Sequence, residues 1–263
     1  MNCIFCFENS DTSKSVEHII PESLGNDRII LEKGYVCDKC NNYFSHTFEQ
    51  QLLELPFFKE ARHDLNIRSK KGKIPNGKGF VIDPELSEIE FHKDKQHKES
   101  FTFPMNAPLT KPVTAYTVVF NSPGQQNTYV SKFLGKMGIE ALVYYALWYK
   151  ESVEESVNQE CFNNMKEYVR AGKKNQHWPY YERSLYSPEA GFQNPLTGEY
   201  YKVTSSFIFI YTENGQLLFQ YLCMGTEFTI DLINQDIEEY KVWLIKNDNV
   251  SPVLKQVLSN KHL

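Results

Sequence analysis

The sequence predicts an α+β chain, in which a small metal-clamped module precedes a larger mixed α+β domain. Three observations lead there. Two Cys-x-x-Cys pairs, Cys3–Cys6 and Cys37–Cys40, bracket the N-terminal segment. From about Lys39 the apolar residues recur at helical spacing, after a stretch of short strand-like runs. Beyond Gly79, short apolar runs separated by turn residues lie on both sides of two helical segments.

Taken in order, residues 1–15 read as loop around the first cysteine pair. Val16–Pro21 reads as a short strand that Pro21 must end or hold at an edge, because proline cannot donate to a ladder. Gly25-Asn26 marks a turn. Ile29–Leu31 and Tyr35-Val36 are candidate strands meeting at Lys33-Gly34. From Lys39 to Leu55, Phe44, Phe48, Leu52 and Leu55 line one helix face. Pro56 breaks that helix, and Phe57–Leu65 forms a second short one. Lys70–Gly79, rich in Lys and Gly, reads as a linker. Phe80–Ile82, Ile89–Phe91, Ser100–Pro104 and Val113–Phe120 read as strands. Val130–Glu151 is a helix with Phe133, Leu134, Met137, Ala141, Leu142 and Tyr145 on one face, and Asn158–Ala171 is another, stopped by Gly172. Val203–Thr212 and Gln216–Met224 pair as a hairpin over Glu213-Asn214-Gly215. The expected organisation is a module over 1–62, a basic linker over 63–79, and an α+β domain over 80–263 for recognition or partner binding.

The 263 residues are 41% hydrophobic and 23% charged, the balance of a folded soluble chain. No apolar run approaches the length of a membrane span. The N-terminus lacks the basic-then-apolar order of a signal peptide, so the expected compartment is the cytoplasm. There thiols stay reduced, and paired cysteines read as metal ligands before disulfides. Cys161 and Cys223 stand alone and read as small buried hydrophobes. The net charge of −5 argues against broad nonspecific nucleic-acid binding. Its distribution is uneven: residues 1–79 balance, and the acidic excess falls in 80–263.

Zinc takes four ligands in a tetrahedron and prefers thiolate in structural sites. Each Cys-x-x-Cys turn presents two sulfurs, so Cys3, Cys6, Cys37 and Cys40 complete one site. The gap between Cys6 and Cys37 exceeds that of a bare zinc ribbon, and Glu17-His18 lies in the excess. A carboxylate, an imidazole and the amides of Asn41 and Asn42 suit phosphodiester hydrolysis. Glu17 and Asn41 offer hard oxygens to a divalent cation such as Mg²⁺ or Mn²⁺, and His18, left unligated, can take a proton from water. The bland alternatives are a surface Glu-His pair and a helix-capping asparagine.

The string Cys3-x-x-Cys6, Glu17-His18-Ile19-Ile20-Pro21, Gly25-Asn26, Cys37-x-x-Cys40-Asn41 resembles the HNH endonucleases with a ββα-metal core, within the branch that carries four zinc cysteines. The resemblance covers about residues 1–62. It implies that Glu17 binds the catalytic metal, that His18 is the general base, and that Asn41 is a second metal ligand. Asn26 is the nearest match to the loop asparagine that orients the base. Asn42 and His46, four apart on the helix, are further candidates for the cation. The final motif position is Asn instead of the commoner His.

The basic run Arg68, Lys70, Lys71 and Lys73, followed by Lys78, suits phosphate contacts, or equally a solvated linker. Trp178, Tyr180, Tyr181 and Tyr186 lie near several cations and suit base stacking or a core edge. The expected activity is metal-dependent DNA cleavage, with restriction of foreign DNA as one setting. The expected partners are DNA and, through the C-terminal domain, another protein or a second copy. The competing readings are a noncatalytic zinc module that binds nucleic acid or protein, and an RNA-directed nuclease.

Overall fold

The structure is a computed structural model that describes residues 1–26, 28–69, 71–82, 86–94, 96–102, 117–118, 126–172, 177–188, 190–194 and 197–259. The architecture is mixed α+β, with an N-terminal four-cysteine module followed by a larger α+β region.

The first strands are β1 (Glu17–His18) and β2 (Ile30–Leu31), which pair with each other. Then come α1 (Asp38–Phe44), a π-helical turn (Ser45–Glu49), α2 (Gln50–Glu54) and α3 (Pro56–Asp64). Four strands follow: β3 (Gly77–Ile82), β4 (Leu86–Lys93), β5 (Glu99–Thr102) and β6 (Thr117–Val118). The helices α4 (Thr128–Tyr149), α5 (Val153–Val157) and α6 (Asn163–Ala171) come next. The remaining strands are β7 (Tyr180–Ser184), β8 (Phe192–Gln193), β9 (Tyr200–Tyr201), β10 (Ser205–Tyr211), β11 (Leu217–Cys223) and β12 (Thr226–Asp231). The last helices are α7 (Glu238–Lys246) and α8 (Pro252–Ser259).

The chain divides into two compact units that are not consecutive in sequence. The first comprises Met1–Glu17, Leu31–Phe48 and Gln125–Leu263, and the second His18–Ile30 and Glu49–Gly124. The cysteine-bearing segments share the first unit with the chain from Gln125 onward.

In the first unit, an antiparallel sheet of order β10-β11-β12-β7 carries helices on both faces. Phe207, Phe209, Phe219 and Tyr221 turn one face toward α4, where Tyr145 meets Phe207 and Phe209 and Phe133 meets Tyr221. On the other face, Leu218 packs with Tyr240 and Leu244 of α7, while Ile208 and Leu222 pack with Val253 and Val257 of α8. Strand alternation delivers these two sets, since successive side chains point to opposite faces. The turn from β11 to β12 is Met224-Gly225, both in the left-handed region. A Cβ on Gly225 would lie 2.1 Å from the backbone oxygen of Tyr186, so only glycine fits.

A polar cluster is sealed under the α7 side. Glu227 is fully buried and accepts from Arg183 Nε at 2.8 Å, Tyr240 OH at 2.8 Å and Ser251 Oγ at 2.5 Å. Gln220 donates to Thr229 Oγ1 at 3.0 Å and also to Tyr240 OH. Removing one member strands the others without water. Glu227→Ala is expected to destabilise the fold by about 3–5 kcal/mol, read by urea unfolding, because Arg183 loses its counter-charge.

In the second unit, β5-β4-β3-β6 form an antiparallel sheet, and α3 packs near β3. His63 of α3 bonds the Pro75 carbonyl through Nδ1 at 2.8 Å, which anchors the approach to β3.

Several sequence expectations meet the structure directly. The helix over Lys39–Leu55 is present as α1, the π turn and α2, and Pro56 sits at the first position of α3. The hairpin is β10–β11, closing with Tyr211 opposite Leu217. Tyr35-Val36 is not a strand: its backbone serves the first cysteine turn instead, with Ile4 N–H bonding the Tyr35 carbonyl at 2.9 Å. The helix expected over Asn158–Ala171 starts at Asn163. Lys166 takes the Val157 carbonyl and the Asn158 side chain, at 2.7 and 3.4 Å, and so folds the preceding segment back. The aromatic run is a core element: Trp178 and Tyr180 are buried, and Trp178 Nε1 donates to the Asp231 carbonyl at 2.8 Å. Cys223 is buried as expected, whereas Cys161 is half-exposed. Lys70 and most of the strand expected over Val113–Phe120 lie outside the described residues. Among the described residues, no helix is long and apolar enough to cross a membrane.

Candidate metal centre and nuclease motif

The four cysteines converge. The sulfurs of Cys3, Cys6, Cys37 and Cys40 all lie within 4.8 Å of one another, and Cys6 and Cys37 are 3.6 Å apart. Zn–S bonds of about 2.3 Å in a tetrahedron place sulfurs roughly 3.8 Å apart, so the cluster needs only a small contraction to hold zinc. Two backbone amides point at sulfur: Cys37 N–H at Cys3 Sγ and Cys40 N–H at Cys37 Sγ, each at 3.4 Å. The second bond also caps α1, so the metal turn and the helix start are one structure. The Cys40 thiol, donating to Cys3, holds the Cys3 thiol down to about 4, while burial pushes Cys6 up to about 11. Cys3 is favoured as thiolate, whereas Cys6 and Cys40 are pushed up. Zinc, which requires thiolates, must displace their protons.

A buried ammonium stands near the clamp. Lys166 is 1% exposed, lies 4.7 Å from the centre of the Phe7 ring, and is drawn toward the charge on Cys3. Burial nevertheless lowers its pKa to about 8. A four-thiolate zinc site carries two negative charges, so Lys166 compensates part of them. Lys166→Met is expected to weaken zinc retention roughly tenfold, as outer partners of metal sites generally do. Competition with a chromogenic chelator measures it.

Asp38 ties the clamp to the acidic motif residue. Its carboxylate accepts Lys14 N–H and Ser15 N–H at 3.1 Å and the Ser15 hydroxyl. The Ser15 hydroxyl, the strongest of these, holds the carboxyl below the usual range. The chain leading into Glu17 is thereby fixed to the first turn of α1, which also carries Asn41. Sequence reading missed Asp38. Its only local signal is an acid at the first position of a helix, which many helices share.

The remaining motif residues are placed as follows. Glu17 is buried in β1, and its Oε1 accepts Lys136 Nζ at 2.6 Å. Asn41 is half-buried on α1 and Asn42 is exposed. His46 is exposed within the π turn, whose wider pitch breaks the regular four-residue stacking over Asn42. These four belong to the first unit. His18 and Asn26 belong to the second, so the peptide bond between Glu17 and His18 is where the chain passes from one unit to the other. His18 Nδ1 is buried and makes no hydrogen bond among the described residues.

Asn26 is fully engaged. Its amide nitrogen donates to the Ile20 and Ile29 carbonyls at 2.7 and 3.0 Å, and its oxygen accepts Arg28 and Ile29 N–H at 3.0 and 2.9 Å. It staples the loop that follows His18. Arg68, Lys71 and Lys73 are exposed around a tight turn in which Gly72 N–H bonds the Ser69 carbonyl at 2.7 Å. Lys78 is engaged with Glu88 at 2.5 Å.

The expected second, divalent cation has a weaker structural signature than the cysteine clamp. Among the described residues, the cysteine clamp is the group of three or more His, Cys, Asp or Glu side chains close enough to share a metal. Glu17 and Glu140 share one ammonium, Lys136.

The HNH endonuclease family model matches residues 3–55, the span that holds both cysteine pairs, Glu17-His18 and Asn41. This segment is thus similar to the HNH endonucleases, and its clustered cysteines are consistent with the zinc-binding branch. No curated protein and no solved structure gives a significant match to the chain.

Proposed function

We propose that the protein is a metal-dependent endonuclease that hydrolyses DNA phosphodiester bonds, with His18 as general base. The observation that supports it most is the placement of Glu17-His18 and Asn41 inside a zinc clamp that falls within an HNH endonuclease match. In this reading Glu17 and Asn41 hold a Mg²⁺ or Mn²⁺ ion. When bound, the ion stabilises charge on the scissile phosphate and on the departing oxygen. His18, as general base, accepts a proton from the attacking water. Asn26 holds the loop after His18 and so keeps the ring oriented. Zinc acts through folding alone. Arg68, Lys70, Lys71 and Lys73 contact backbone phosphates, which positions a duplex without reading its sequence. Asn42 and His46 are secondary candidates for the cation. The region beyond residue 80 recognises the substrate or a partner, and restriction of foreign DNA is one role for such an enzyme.

The test is cleavage of end-labelled DNA and RNA of matched sequence, in parallel and at one salt concentration, with zinc-loaded protein and added Mn²⁺. Salt must be held fixed because phosphate contacts make binding strongly salt-dependent. DNA cleavage that stops on chelation of the added ion is the expected result. Cleavage of RNA alone assigns the RNA-directed reading. Binding without cleavage of either assigns the noncatalytic module.

A further inference from the structure

Arg62 lies on α3, in the unit that also carries His18. It is buried, at 6% exposure, and among the described residues its side chain makes no hydrogen bond and no ion pair. Of its guanidinium nitrogens only Nε is sealed without a partner, so the terminal pair keeps access to a ligand. The carboxylate whose field reaches Arg62 is that of Glu54, and Glu54 pairs instead with Lys59 at 3.6 Å, where both are exposed. Burial pulls the guanidinium down from its ordinary pKa, but an arginine keeps its charge in a folded protein. A buried cation without a counter-charge is uncommon, because native structures pair such groups.

The packing of α3 ties this guanidinium to the nuclease motif. The helix packs on the 3-10 turn Glu22–Leu24, which follows directly on His18-Ile19-Ile20-Pro21. The Arg62 carbonyl accepts Ile67 N–H at 2.9 Å, and the Ile67 side chain would lie 3.1 Å from a Cβ on Gly25. The last turn of α3 and the loop after His18 are therefore fixed to each other. The exposed Lys71 and Lys73 follow in the same unit and add positive charge. We propose that Arg62 is a binding residue for a nucleic-acid backbone phosphate, its planar fork taking two oxygens of one phosphodiester on the unit that carries His18. This deepens the nuclease reading and rests on it. Two parallel hydrogen bonds from a guanidinium match a phosphate in a way that a lysine ammonium cannot reproduce. The buried stem holds the fork in place before the strand arrives, so little side-chain freedom is lost on binding. The exposed lysines supply screened attraction, whereas Arg62 fixes where one phosphate sits.

Two variants of the zinc-loaded full chain test this. Arg62→Met keeps an unbranched stem and removes the charge, and Arg62→Lys keeps the charge and removes the fork. Binding of a fluorescent DNA duplex is read by anisotropy over a salt series without added divalent ion, and cleavage is read with Mn²⁺. Arg62→Met is expected to weaken binding roughly tenfold on any sequence, as loss of a charged hydrogen bond does. The slope of log affinity against log salt should become shallower by about one. Arg62→Lys should keep the slope and recover only part of the affinity. Without DNA, Arg62→Met should melt no lower than the wild type, since it removes an unpaired buried charge. In cleavage, the half-saturating DNA concentration should rise while the maximal rate holds. A melting temperature that falls in Arg62→Met, with DNA binding unchanged, assigns a structural cation and overturns this inference alone. Stabilisation of the wild type by inorganic phosphate at matched ionic strength, with equal DNA binding by wild type and Arg62→Met, assigns a free-phosphate site and also overturns it. Wild-type protein that neither binds nor cleaves DNA or RNA overturns the nuclease reading and this inference together.

Discussion

Cys37→Ser is expected to strip zinc from the protein and to unfold the N-terminal segment. Cys37 serves three structures at once, two of them through its sulfur. Its sulfur is one of the four clustered thiols, it caps α1 by accepting from Cys40 N–H, and its own amide bonds Cys3 Sγ. A serine oxygen keeps a shortened cap but is a poor fourth ligand in a soft site. Structural zinc supplies on the order of 10 kcal/mol of folding free energy, more than the net stability of many domains. The segment has little to replace it. Asp38 links the start of α1 to Lys14 and Ser15, and Phe5 meets Phe44 edge to face with ring centres 4.8 Å apart, but both contacts depend on the clamp holding the two cysteine turns together. Metal analysis should fall from one zinc per chain to none, and exchange of the amides around Cys3–Phe7 and Asp38–Phe44 should rise to that of an open chain. The sheet β10-β11-β12-β7 lies far along the sequence and has its own core, so its protection should survive.

His18→Ala is expected to remove cleavage and little else. Loss of a general base costs about 10²–10⁴-fold in rate. The substitution should be mild for the fold, because His18 is only partly buried and its Nδ1 makes no hydrogen bond to lose among the described residues. Zinc content and melting temperature should stay at the wild-type values while single-turnover cleavage drops at saturating Mn²⁺. Glu17→Ala would be a less discriminating choice. It leaves Lys136 and Glu140 buried around a gap, so lost activity could arise from lost packing.

The parts of this molecule readable from sequence are those in which the chemistry is close along the chain. Cys3-x-x-Cys6 and Cys37-x-x-Cys40 each encode half of a tetrahedron in a single turn. Phe44, Phe48 and Leu52 declare a helix by spacing, and Pro56 declares its end. The β10–β11 hairpin is announced by Gly215 between two apolar runs. What escaped is what distance hides. Lys136 lies 119 positions from Glu17, and no local pattern on α4 marks it, since a Lys four residues before a Glu is an ordinary surface pair. β12 was missed for another reason. Its sequence Thr-Glu-Phe-Thr-Ile-Asp is buried throughout, but four of the six residues are polar, and Glu227, Thr229 and Asp231 are held by hydrogen bonds. An apolar-run criterion cannot find a strand that buries polar groups. The unit division was equally unreadable, because the chain leaves the first unit at Glu17 and re-enters it at Leu31.

The most direct test of the central claim is relaxation of supercoiled plasmid by zinc-matched wild-type and His18→Ala protein, with and without Mn²⁺. The account predicts nicking by the wild type only when Mn²⁺ is added, and none by the variant under either condition. Equal nicking by both proteins, or nicking that proceeds without the added ion, would contradict it.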